Sequence, residues 1–362
     1  MRLNGAMGAR AYRHAGVDSG GSEQAVAALV GVLRTIDSGG ASRSVLAAGH
    51  YAAVMRLDDR TGLALSTDGV GSKVIVAEQL RRFDTVGVDC VAMNVNDLIC
   101  VGAEPIALLD YLAVERADAE MLRQLGEGLK RGAEEAQVEI PGGELAQLPE
   151  VIRGHPSPYG FDIAAACFGT VALEAIVTGA RIEPGDAVVG LPSSGVHSNG
   201  LTLARRVLPD LGEHPAGLGG RSVGDELLEP TTIYVRAVRE LLVSGLDVRG
   251  LAHITGDGLL NLLRLEADVG YRIDAPLRVP AIFDLIAERG EIPQSELFEI
   301  FNMGCGFCCV VPDAQVGPAV DVLAQRHPGT AVIGQVTARA GQIELPSAGL
   351  TGRRGQGFLA DS

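Results

Sequence analysis

Apolar, strand-like runs alternate with amphipathic, helix-like stretches along the chain, which predicts an α/β fold of the mixed α+β type. Two further observations agree with this class. The 362 residues are 47% hydrophobic and 21% charged, enough to bury sizeable cores, and at roughly 150 residues per domain the length suits two domains. Glycine, at 48 residues, is about twice its usual share and follows no Gly-X-Y period, so tight turns and close approaches of backbone to ligand are expected.

Read in order, residues 1–21 form a Gly- and Arg-rich arm expected to be mobile, and Ser22 is placed to cap a helix through Ala25, Val26, Leu29, Val32, Leu33 and Ile36. Leu63–Ser66 reads as a strand entering the loop Thr67–Lys73, and a helix follows from about Asp84 to Val101. Ile106–Val114 reads as a strand, 118–136 as a helix, Pro141–Glu144 as a turn and Asp162–Leu173 as a buried strand. The pattern breaks near Arg181–Asp186, which divides the chain into an N-terminal domain (22–175) and a C-terminal one (176–362). The second domain opens with the strand Ala187–Leu191, the loop Pro192–Gly200 and a helix to Val207. Residues 211–225 read as a loop, with a helix from about Thr231, strand 250–254, loop Thr255–Gly258 and helix 259–265. Strands near 305–312 and 331–337 bracket a last helix near 314–326. No period of 20–50 residues repeats.

The formal charge of −15 leaves no basic stripe for a nucleic-acid backbone or an acidic membrane surface. No run of 18 uncharged apolar residues suggests a membrane span, and Met1–Val17 lacks the apolar core of a signal peptide. The six cysteines, mostly inside apolar runs, fit reduced thiols and a cytoplasmic location. Cys305-Gly-Phe-Cys308 has no second ligand pair beside it and reads as strand rather than zinc site.

Several loops carry candidate chemistry. Asp68-Gly69-Val70-Gly71-Ser72-Lys73 follows a strand; its glycines suit backbone approach to an oxyanion, its Asp a hard cation and its Lys a phosphate, although a plain Gly-rich turn has the same composition. Twenty-eight of the 30 basic residues are Arg, so a Lys at this position stands out. The next helix carries Asp89, Asn96 and Asp97 on one stripe, with no basic residue between Arg82 and Arg116 to balance them. They are either a solvated face or ligands for Mg²⁺. Asp110, inside a strand, needs a partner or a function, and Glu104 precedes it. Gly142-Gly143-Glu144 is either a plain turn or a set of N–H groups and one carboxylate for a ligand. Ser193-Ser194-Gly195-Val196-His197-Ser198-Asn199-Gly200 concentrates hydrogen-bonding groups ahead of a helix, and His253-Ile254-Thr255-Gly256-Asp257-Gly258 repeats the strand–loop–helix pattern. No G-x-S-x-G nucleophile elbow or Walker A loop occurs.

Taken in order, these motifs, with Tyr12–Asp18, Gly102-Ala-Glu-Pro105, Leu109-Asp-Tyr111 and Phe301-Asn-Met-Gly304, resemble the phosphoribosylformylglycinamidine cyclo-ligase (aminoimidazole ribonucleotide synthetase) family from about residue 12 to 345. The Asp68–Lys73 motif alone points only to the wider superfamily, which includes thiamine-monophosphate kinase; the His-Ser-Asn-Gly and His-Ile-Thr-Gly pair selects the cyclo-ligase. The resemblance implies a homodimer paired through N-terminal domains that bind ATP, with substrate held by the C-terminal domain. It implies ATP-driven ring closure of formylglycinamidine ribonucleotide to aminoimidazole ribonucleotide, with Mg²⁺ on Asp68 and Asp97. Asp68, Lys73, Asp97 and His197 would be catalytic, with Gly69, Gly71, Asp89, Asn96, Gly142, Gly143 and Glu144 also at the nucleotide. Ser194, Gly195, His197, Ser198, Asn199, Thr255 and Gly256 would contact substrate. The family's Gly-Gly-Glu-Thr-Ala-Glu-Met-Pro is here Gly142-Gly-Glu-Leu-Ala-Gln-Leu-Pro149, and Asp257 stands where a glycine is usual. A superfamily kinase and a non-catalytic ATP-binding regulator are the alternatives.

Overall fold

Strict alternation of buried and less buried positions along Phe161–Ala172 (β5) shows why this stretch is the centre of the first sheet. In this computed structural model, which describes residues 11, 14–16, 19–47 and 49–361, β5 pairs antiparallel on both sides. Its neighbours are Thr61–Gly69 (β2) and Glu104–Val114 (β3); Ala53–Arg56 (β1) and Glu139–Gln147 (β4) complete the order β1-β2-β5-β3-β4. Only β3 and β4 run parallel, joined by the helix Ala119–Ala136 (α4).

One face of this sheet is covered by Val86–Ile99 (α3), apolar nearly all round and buried accordingly. Helix α4 packs outside it. Gly87 and Gly128 let the two backbones touch, because a Cβ on either would collide with the other helix's main chain. The opposite face has no cover among the described residues: Leu109 and Tyr111 are 43% and 44% exposed, with Leu63, Leu65 and Phe168 half-buried beside them.

The second sheet, after a gap from Ala172 to Ala187, has eight strands in the order β13-β12-β11-β8-β10-β6-β9-β7. These are Ala187–Pro192 (β6), Gly250–His253 (β7), Gly270–Arg272 (β8), Cys305–Val311 (β9), Ala331–Thr337 (β10), Gln342–Leu345 (β11), Leu350–Arg353 (β12) and Gly357–Ala360 (β13). Every residue of β9 is buried, which explains its unbroken apolar sequence. All six cysteines are free and buried, and no metal-ligand cluster forms among the described residues.

Several expectations need correction. The first helix (α1) spans Ser19–Leu33, so it starts before Ser22 instead of being capped by it; its apolar positions are exposed. Of the expected arm, residues 1–10, 12–13 and 17–18 lie outside the described residues; Ala15 is buried and Ala11 N–H donates to Glu296 Oε2 at 2.8 Å. Strand β2 runs on through Asp68 to Gly69, and the helix Lys73–Leu80 (α2) begins at the lysine, so the loop shrinks to 70–72. Pro141–Glu144 is not a turn but part of the extended edge strand β4. The tract 211–225 contains the start of a short helix, Val223–Leu227 (α6), with a Ser222–Asp225 capping box.

Candidate functional site

Helix α3 is the frame of the site. Near its end, Asp97 keeps a 20% exposed side chain and accepts a 2.8 Å hydrogen bond from Nδ1–H of His253, the last residue of β7 in the other domain. Asp68, near the end of β2, lies close enough that Asp97's charge adds to burial in raising its carboxyl above the usual range. Asp68 Oδ1 accepts from Gly69 N–H at 2.7 Å, and its backbone carbonyl is held by Asn94 Nδ2 at 3.1 Å. Asp97 thus sits at the seam between domains, within electrostatic reach of Asp68.

Lys73, Asp89 and Asn96 are placed elsewhere. The Lys73 side chain is fully buried, 2.9 Å from an equally buried Asp89 Oδ1 and 2.5 Å from the Glu229 carbonyl. In this arrangement its ammonium is spent on a carboxylate and a main-chain carbonyl, contacts that the sequence does not lead one to expect. Burial pulls its ammonium below the usual range, and Asp89 opposes that. Asp89 Oδ1 also accepts from Thr231 N–H at 2.7 Å, Thr231 Oγ1 at 2.6 Å and Ser198 Oγ at 3.2 Å. Its Oδ1 is thus answered four times over, while the buried Oδ2 has no hydrogen-bond partner among the described residues. Asn96 spends its amide on backbone: Nδ2 donates to Thr232 O at 2.8 Å and Oδ1 accepts from Tyr234 N–H at 3.0 Å.

The loop after β6 folds back on this network and leads into helix Leu201–Val207 (α5). His197 sits at φ +62°, buried, with Nε2 accepting from Ser194 N–H at 3.2 Å and Thr232 N–H at 3.4 Å. Nε2 is therefore the unprotonated nitrogen and Nδ1 carries the proton. That Nδ1 is buried and has no hydrogen-bond partner among the described residues. Burial, then the charges of His253 and Lys73, push its pKa well below the usual 6.5, so the ring is neutral at pH 7. Ser198, expected at substrate, instead gives its hydroxyl to Asp89 and Thr231, and Ser194 donates to Pro230 O at 2.5 Å.

Gly195 is buried, while Asn199, Thr255 and Gly256 are half-buried. A Cβ on Gly256 would stand 3.4 Å from Asn199 Oδ1, so the two C-terminal loops meet. Gly71 reaches the same place, with a Cβ position 4.0 Å from Ser198 O, and Ser72 Oγ lies 2.8 Å from Thr202 Oγ1. Two supporting residues, Asn261 and Thr231, carry no motif in the sequence, and a third, Asn302, lies in the Phe301–Gly304 motif with no role assigned to it there. Asn261 Oδ1 holds Thr255 N–H at 2.7 Å, Asn302 Nδ2 holds Gly195 O at 2.9 Å, and Thr231 links Asp89 to Ser198.

The Gly142–Glu144 segment does not join this group within one chain. Its pairing, Asp68↔Ala165↔Asp110↔Gly143, puts Asp68 and Asp110 on the helix-covered face, whereas Glu144 aligns with Tyr111 and Ala164 on the open one. Gly143 is needed where it is, because a Cβ there would strike the Asp110 carboxylate. Burial raises the Asp110 carboxyl, and Glu104 is an exposed partner of Arg239.

The donor set fits Mg²⁺: Asp68 and Asp97 offer hard carboxylate oxygens whose mutual repulsion such an ion would relieve.

Residues 49–171 match the N-terminal domain model, and residues 183–345 the C-terminal domain model, of AIR synthase related proteins. The chain is 49% identical to the phosphoribosylformylglycinamidine cyclo-ligase of Methanothermobacter thermautotrophicus, over 92% of this chain and 96% of that one. Its identity to the enzyme of the same name from Thermococcus kodakarensis is 44%, over 91% and 96%. Among solved structures, the fold is shared with hydrogenase maturation protein HypE in complex with ATP (TM-score 0.60, 23% identity, covering 85% of this chain and 87% of that one). It is shared too with the protein AaThiL complexed with AMPPCP and TMP (TM-score 0.59, 18% identity, covering 82% and 86%).

Proposed function

We propose that this chain, which belongs to the phosphoribosylformylglycinamidine cyclo-ligase family, closes the imidazole ring of aminoimidazole ribonucleotide from formylglycinamidine ribonucleotide and ATP, as a ligase of purine biosynthesis. Within the molecule, the observation that carries this reading is the meeting of Asp68 and Asp97 with the His197 and Thr255 loops at one domain seam.

In the reaction the formyl amide oxygen attacks the γ-phosphorus of ATP, the bond to ADP breaks, and that oxygen becomes a good leaving group. The amidine-side nitrogen then bonds to the same carbon, phosphate departs with the oxygen, and one proton is shed. Asp68 and Asp97 would hold Mg²⁺, which would neutralise the phosphate charge. His253 fixes the Asp97 carboxylate from the opposite domain. Neutral His197 offers its Nδ1–H, which is not spent on protein acceptors among the described residues, to charge developing on oxygen. Asn199 and the Thr255–Gly256 backbone orient the ribonucleotide. The N-terminal domain carries the ATP carboxylates and the C-terminal domain the substrate loops.

The open face of the first sheet supports a homodimer. An uncovered face with Leu109 and Tyr111 needs a cover, and a second copy of the same sheet offers a matching one. Glu144 lies on that face, so its contact with nucleotide would arise in the dimer. Six buried free thiols agree with a reducing, cytoplasmic setting; among the described residues no helix is long and apolar enough to cross a membrane.

The test is to incubate the protein with ATP, Mg²⁺ and formylglycinamidine ribonucleotide and follow aminoimidazole by its diazo colour alongside ADP. Equal amounts of both are expected. ADP without colour would replace the cyclo-ligase reading with a kinase-like one.

A further inference from the structure

Asp89 and Asn96 lie two turns apart on one stripe of α3, and both reach across the seam to residues 229–234. Lys73 adds a third tie through Glu229 O while neutralising Asp89. This segment in turn holds the loop that carries His197. Pro230 O receives the Ser194 hydroxyl, Thr231 Oγ1 sits 3.0 Å from Ser198 Oγ, and Thr232 N–H donates to the His197 ring. His197 itself is in the left-handed region, which is unfavourable for an L-residue and persists only where neighbours impose it. A buried ion pair is rarely worth more to stability than apolar side chains of the same shape; its best attested use is to fix register.

We infer that the Lys73–Asp89 pair is a positioning device that seats the 194–198 loop through Thr231, and so sets both where His197 points and which ring nitrogen carries its proton. The charges act on the reaction only through this seat and touch neither nucleotide nor metal. The inference rests on the reading of His197 as a site residue, but its first readout does not.

Thr231→Val keeps the branched shape and the backbone N–H to Asp89 and removes the 2.6 Å hydroxyl link to Asp89, leaving the weaker 3.2 Å contact of Ser198 Oγ as the loop's remaining tie to that carboxylate. In protein labelled with ¹⁵N-histidine, the His197 signal, assigned by its absence in His197→Gln, is expected to lose its single Nδ1–H form in this variant. Thr231→Ser is expected to restore it. In the same variant kcat falls about tenfold or more while KM for ATP stays within about twofold, and Thr231→Ser again rescues. Ser194→Ala cuts the same tether at its exposed end, leaves the core intact, and gives both signals again should Thr231→Val not fold. An unchanged His197 tautomer in a folded variant overturns the inference, whatever happens to kcat. A changed tautomer with wild-type kcat upholds the seat and refutes the catalytic reading of His197 instead.

Discussion

Asp89 and Asp97 stand eight residues apart on α3 and have opposite surroundings. Asp89 is sealed from solvent, neutralised by Lys73 and saturated at one oxygen by four donors. Asp97 keeps part of its side chain in solvent, accepts from His253 Nδ1–H, and lies within electrostatic reach of a second carboxylate, Asp68. A carboxylate whose charge is already answered inside the fold holds structure. One whose charge is left over, beside a second of the same sign, is arranged for a cation that arrives with substrate.

The sharpest way to break this comparison is Asp97→Asn. The amide oxygen still accepts from His253 and the repulsion with Asp68 disappears, so the thermal midpoint should hold or rise. Mg²⁺-dependent turnover should fall about a thousandfold, measured as aminoimidazole formed. Lys73→Arg probes the other member. A guanidinium does not fit a fully enclosed ammonium site, so a loss of about 1–3 kcal/mol in urea unfolding is expected, with KM for ATP unchanged in the protein that remains folded. A raised KM at full stability would return Lys73 to the phosphate site.

The pH dependence of stability sharpens the comparison on the histidine side. Burial lowers the pKa of His50, of His197 and, to about 4, of His327. The unfolded chain therefore binds protons near pH 6.5 that the folded chain refuses. Stability is full above that pH and is lost as the pH falls through 6.5 toward 5. Melting curves should show this slope, and His327→Gln should flatten it by up to one proton without touching turnover. The smallest expected effect on the isolated fold is that of Tyr111→Asp. On an exposed position it should change monomer stability by less than about 0.5 kcal/mol, yet shift the sedimentation profile from dimer to monomer.

Much of the site is legible in the sequence because its parts are contiguous. Asp68 ends a strand, Asp97 closes a helix, and His197 and Thr255 follow strands of the second sheet, so strand–loop–helix order alone brings them to one edge. Lys73 has a partner that its composition does not reveal, for a physical reason. The bias toward arginine does single it out, but a compact ammonium suits a closed cavity as well as a phosphate. Its partner Asp89 is known only once α2 and α3 are packed. Gly142 and Gly143 have the composition of a turn, whereas Gly143 serves the approach of Asp110 across an edge strand. Thr231 and Asn261 are invisible because a single polar residue in an irregular segment has no period to betray it, and Asn302, although inside a motif, shows its role only once the loops are packed. The strands β11 to β13, each four residues long, are too short for alternation to stand out.

The most direct test of the account measures aminoimidazole formation and the thermal midpoint side by side in Asp97→Asn and Asp89→Asn. Asp97→Asn should lose turnover and keep its midpoint; Asp89→Asn, which strands a buried Lys73, should lose several degrees or fail to fold. An Asp97→Asn protein that turns over like the wild type would contradict the assignment of the reactive carboxylate.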